Sequence, residues 1–135
     1  MKRRESRQLA LELIFEGSFH DFSDPALIYD TAREIRCFED DEYVRKLFFG
    51  VCDNRESIDA AISDNSKGWK LERISRLILS VLRLSVYELK FCEDVPFNVA
   101  INEAVELTKE YDFEASPAFV NGVLNAIAEA EGLKG

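Results

Sequence analysis

The sequence predicts an all-α fold of about seven helices. Three observations predict it: apolar residues recur at spacings of three and four through long segments, alternating runs are almost absent, and Asp24–Pro25 and Ser116–Pro117 each read as a capping residue followed by proline at the first helical position. A chain of 135 residues with 47% hydrophobic content is the size of one domain, residues 1–135, with an ordinary core.

The first helix is expected over residues 3–18, closing near Gly17, and the second over 25–36 behind the Asp24 cap. A third, from Asp40 to about Val51, carries Tyr43, Val44, Leu47, Phe48 and Val51 on one side, which reads as an amphipathic packing face. A fourth begins near Asn54 with Ile58, Ala61 and Ile62 facing inward, and Asn65–Gly68 is a turn, with Trp69 behind it as a core anchor. From Leu71 to Phe91, apolar residues wrap most of the helical wheel, so this segment is predicted to be a central helix with neighbours on nearly every side. Asp94, Val95 and Pro96 break the chain, Asn98 is the expected cap of the sixth helix, and Tyr111 its end. Ser116 and Pro117 open the last helix, whose inner face is Phe119, Val120, Val123, Leu124 and Ile127. No linker or low-complexity tract interrupts the series, which reads as a helical bundle.

Composition narrows the function classes. No apolar stretch approaches the roughly 20 residues of a bilayer span, and no hydrophobic signal region follows Lys2, Arg3 and Arg4, so a cytoplasmic location is expected. Cys37, Cys52 and Cys92 form no CxxC pair and are expected to be reduced and mostly buried. His20 is the only histidine and reads as a loop residue, and the six glycines form no phosphate-binding pattern. Neither a cofactor nor a metal is expected. Glu88 and Glu103 are the one conceivable carboxylate pair for an enzyme, but a glutamate on an apolar helix is more often neutralised by an arginine or placed at an interface.

The formal net charge of −9 argues against nonspecific coating of nucleic acid. Its distribution is uneven: four of the 17 Lys and Arg and one of the 26 Asp and Glu fall in residues 1–7, which leaves that segment net +3 and the remainder −12. A basic end can hold an anion while an acidic body receives a basic protein. On the first helix, at about 100° per residue, Arg4, Leu11 and Phe15 share one direction and Arg7 borders it, with Glu5, Gln8, Glu12 and Glu16 on the other arc. Guanidinium groups at a helix start with an aromatic on the same face suit phosphate binding and stacking or partner packing.

The run "RRESRQLALELIF", followed by "VLRLSVYEL", "DVPFNVAINEAVELTKEY" and "FVNGVLN" in that order, resembles the NusB family of bacterial transcription antitermination factors. The resemblance is close over residues 3–18 and 69–128 and loose between them. It implies an all-α fold of two small packed bundles and a noncatalytic role: binding the boxA element of nascent ribosomal RNA jointly with NusE, a small-subunit ribosomal protein, so that RNA polymerase reads through terminators. By match to the family's arginine-rich start, Arg3, Arg4 and Arg7 should contact RNA, and Asn121 and Asn125 should border the same surface. Phe15 and Glu88 should face NusE. The chain departs from the family pattern at Glu5, where a third arginine is common, at Phe15 in place of Tyr, and at Asn125 in place of Asp; Glu5 implies stronger dependence on NusE for RNA binding. The same module also occurs as the RNA-binding part of ribosomal RNA cytosine methyltransferases, and a purely protein-binding adaptor is a further alternative. Some members form homodimers that cover the arginines, for which the residues around Phe48, Phe49 and Phe91 are candidate edges.

Overall fold

The computed structural model describes residues 1–112 and 117–133. Seven α-helices form among these residues: α1 (Arg3–Ser18), α2 (Pro25–Arg36), α3 (Glu42–Asp53), α4 (Arg55–Asn65), α5 (Arg76–Phe91), α6 (Phe97–Tyr111) and α7 (Pro117–Ala130). No strand occurs among the described residues, and no helix is long and apolar enough to cross a membrane.

Helices α1 to α3 form one small group and α4 to α7 another, with α5 joining them: it packs against α1 and α3 on one side and α4, α6 and α7 on the other. This position explains its composition. Every residue from Ile78 to Leu89 is buried, including the polar Ser80, Arg83, Ser85 and Glu88. A buried charge is tolerable only with a partner, and Arg83 finds one in Asp59 of α4 through bonds of 2.8 and 3.0 Å.

Local chemistry sets the helix starts. Asp24 accepts from the Leu27 amide and Asp41 from the Val44 amide, each occupying an amide that the first turn leaves unpaired. The first two helices have the bounds that the sequence predicts. The central helix does not: residues 71–73 form a 3-10 turn, Ile74 is extended, and α5 begins behind Ser75, whose hydroxyl accepts from the Ile78 amide at 3.2 Å. The cap interrupts an apolar pattern that periodicity alone reads as continuous. The sixth helix likewise starts at Phe97, because the Pro96 carbonyl accepts from Val99 and Ala100. Asn98, the expected cap, instead accepts from the Val99 amide at 3.1 Å from inside the first turn. The Ser116 cap lies outside the described residues.

Two expectations about burial are corrected. Trp69 is 54% exposed, because the turn through Lys67 and Gly68, both at positive φ, carries it over α7 to meet Phe119 edge-on at 6.1 Å. Of the cysteines only Cys92 is fully buried; Cys37 is exposed at the left-handed end of α2, and Cys52 is half-buried, with its thiol pKa pushed up to about 12 by burial. Among the candidate pairing residues, Phe48 is in the core, Phe49 is half-buried and Phe91 is 40% exposed.

Candidate functional site

Helix α1 presents its three arginines to three different environments. Arg3 is exposed, and its guanidinium carbon lies 3.7 Å from the centroid of the Tyr43 ring on α3. Arg4 reaches across to α6, where Nε and Nη2 donate to the two oxygens of Glu103 at 3.2 and 3.0 Å. Arg7 is buried; its Nε donates to both Glu88 oxygens at 3.0 Å, and its Nη2 lies 3.0 Å from Oε2. Glu5, one turn in, accepts from the Lys2 amide at 3.3 Å, so the acid that departs from the arginine pattern caps the helix and suits its positive end.

Arg7 and Glu88 require a correction. They are the centre of a buried ion pair, with the Tyr43 hydroxyl donating a hydrogen bond to Glu88 Oε2. Glu88, expected to face a protein partner, has no exposure, and Arg7, expected to contact RNA, is 4% exposed. Burial opposes the Arg7 charge, but its bonds to Glu88 outweigh this and its pKa is raised. Burial and then the Glu88 bond raise the pKa of the Tyr43 hydroxyl above the ordinary tyrosine value. Both carboxylates of the conceivable enzymatic pair are thus occupied by arginines, Glu88 by Arg7 and Glu103 by Arg4.

Phe15 lies half-buried in an open apolar groove of about 620 Å3 at the meeting of α1, α2, α5 and α6. Phe15 and Phe19 meet edge to face at 5.0 Å, and Leu11, Ala32 and Ile35 with Leu77 on α5 add to the apolar lining. Glu12 ties the walls together, accepting from Arg36 of α2 and, at 2.6 Å, from the Tyr111 hydroxyl of α6. Phe19 and Ile35 are 59% and 75% exposed, an unusual display of apolar surface, and Glu12 and Glu16 also line the groove.

The model of the NusB family matches residues 4–129. The chain belongs to the NusB family. It is 43% identical to the transcription antitermination protein NusB of Acetivibrio thermocellus over 132 residues, which span 97% of this chain and 91% of that one. Among solved structures, T. maritima NusB is similar at a TM-score of 0.83 and 33% identity, covering 96% of this chain and 92% of that one. A chain from the crystal structure of the antitermination factors NusB and NusE in complex with double-stranded RNA is similar at a TM-score of 0.82 and 27% identity, covering 96% of this chain and 99% of that one. The all-α NusB fold expected from the sequence is the observed one.

Asn121 and Asn125 sit one turn apart on α7, joined by bonds from Asn125 Nδ2 to the Asn121 carbonyl at 2.9 Å and to its Oδ1 at 3.2 Å. Asn121 is exposed and Asn125 half-buried. Among the described residues, no hydrogen bond or ion pair connects them to the arginines of α1; their helix packs on α4, α5 and α6. Trp69, expected as a core anchor, is instead an exposed ring flanked by Lys67 and Lys70, a basic and aromatic signal visible in the chain. Tyr43 likewise reads in the sequence as a packing residue alone.

Proposed function

We propose that this NusB-family chain is a noncatalytic transcription antitermination factor that binds boxA RNA together with NusE and so promotes readthrough by RNA polymerase. The observation that carries the reading is the similarity, over nearly the whole chain, to the NusB partner in the NusB–NusE–RNA complex. Three surfaces support it. Arg3 and Arg4 at the exposed start of α1 supply phosphate contacts, with Arg7 as the buried anchor of that helix. Trp69, Asn121 and Asn125 offer a stacking face and amide groups for bases along α7. The groove around Phe15 takes apolar side chains of NusE, and the −12 body beyond residue 7 steers a basic ribosomal protein towards it.

The test is boxA RNA binding with and without NusE, across a salt series, for wild type and the Arg3→Ala/Arg4→Ala variant. Wild-type binding should be strengthened by NusE. The variant should bind more weakly and with a salt slope shallower by roughly 1.4, at about 0.7 per lost contact on single-stranded nucleic acid. Absence of boxA-preferring binding in both conditions would overturn the reading.

Glu103 also carries a prediction, because RNA phosphates compete with it for Arg4. Glu103→Gln loosens the hold on the guanidinium, leaving one neutral acceptor in place of a carboxylate, and removes one negative charge from beside the RNA, so boxA affinity should rise by about three- to tenfold. Unchanged affinity in a fluorescence anisotropy titration would remove Arg4 from the RNA contact.

A further inference from the structure

Of the three α1 arginines, Arg4 is bound by Glu103 and Arg7 is buried on Glu88. Among the described residues Arg3 forms no hydrogen bond or ion pair, and its contact is with a ring: the guanidinium carbon stands 3.7 Å from the centroid of Tyr43. That ring is held at both ends. Its backbone belongs to α3, and its hydroxyl donates to Glu88 Oε2, on a carboxylate that is itself fully buried and gripped by Arg7. The Ser6 hydroxyl also bonds Asp41, the cap of α3, at 3.2 Å, which ties the starts of α1 and α3 together.

We propose that Tyr43 is a positioning residue for RNA binding: its ring is a platform that orders the Arg3 guanidinium before RNA arrives and leaves its N–H edges free to hold a phosphate. The inference rests on the RNA role proposed above for Arg3. A guanidinium is planar; its face makes the cation–π contact while its five N–H donors lie in the plane and point outward. One side chain can therefore stack on Tyr43 and offer both N–H edges to a phosphate at the same time, whereas Arg4 has its Nε–Nη2 edge occupied by Glu103. Ordering in advance removes part of the conformational cost that a free arginine meets on binding. The buried Arg7–Glu88 pair acts as the support of the platform, through the Tyr43 hydroxyl.

The experiment combines NMR of the arginine side chains with affinities for a boxA RNA oligonucleotide in the presence of NusE, for wild type, Arg3→Ala, Tyr43→Leu, Tyr43→Phe and Arg3→Ala/Tyr43→Leu. In the wild type without RNA, the Arg3 Nε–Hε signal should carry a ring-current shift that Tyr43→Phe, with the ring kept but its tether to Glu88 lost, reduces and Tyr43→Leu abolishes. Tyr43→Leu should weaken RNA binding by about fivefold, and the double variant should bind no more weakly than Arg3→Ala alone. A merely structural effect of Tyr43, acting through Glu88, would persist in the Arg3→Ala background, so additive losses would overturn the proposal. So would a wild-type Arg3 signal without a ring-current shift, a measurement that stands even if Tyr43→Leu does not fold. A wild type that binds no RNA defeats the functional reading itself, before any variant is compared, and the role of Tyr43 falls with it.

Discussion

Glu88→Ala should lower the stability of the chain by about 3–5 kcal/mol, the usual cost of removing one member of a buried ion pair. The Arg7 and Glu88 side chains are 5% and 1% exposed, so the charge left behind has almost no access to water. Two hydrogen-bond donors, Arg7 Nε and the Tyr43 hydroxyl, lose their acceptor at once, and the Arg7 charge keeps only the more distant Glu103 carboxylate, 3.9 Å from Nη1. The pair joins positions 81 residues apart, and with them α1 to α5, so its loss loosens the contact between the two helix groups. For a chain of this length the melting temperature should fall by roughly 10–15 °C. Urea denaturation followed by circular dichroism checks this, and a change under about 1 kcal/mol would show that the pair is not a lock between the groups. Glu88→Lys, a natural choice for a partner-facing residue, should instead unfold the protein, because it sets a second cation beside the buried Arg7.

Phe19→Asp and Ile35→Asp should each weaken NusE binding by at least about 30-fold, equivalent to the roughly 2 kcal/mol of an interface hot spot, while leaving the melting temperature nearly unchanged. The two effects separate because these side chains are largely exposed in the free chain and contribute little to its core. On docking they would be desolvated, and a carboxylate in their place would bring a charge into the apolar contact, moderated at position 19 by Arg76, whose guanidinium carbon lies 4.2 Å from the Phe19 ring centroid. Phe15 is a poorer probe of the same surface, since it is half-buried and its loss also disturbs α1. Calorimetric titration of NusE into each variant decides the matter, and wild-type affinity in both would move the partner away from the groove.

Residues three and four apart meet on a helix whatever surrounds it, and a cap bonds an amide within one turn. The bounds of α1 and α2, the face of α3, the end of α6 at Tyr111 and the all-α class were therefore legible in the chain. So was the charge contrast between residues 1–7 and the rest, because it is a sum along the chain. Where two local signals compete, spacing alone misplaces the boundary: the Ser75 cap cuts an apolar run that looks continuous, and the Pro96 carbonyl opens α6 ahead of Asn98. The arginines mark the larger divide. The sequence alone determined that Arg3, Arg4 and Arg7 lie at the start of one helix and that Glu88 and Glu103 lie on two others. Only the tertiary structure decided that Arg7 spends its donors on buried Glu88, that Arg4 is held by Glu103, and that Arg3 rests on Tyr43 with its edges free. Pairing across 81 and 99 positions depends on how helices cross and on which charges lose their water, and neither is written in local spacing.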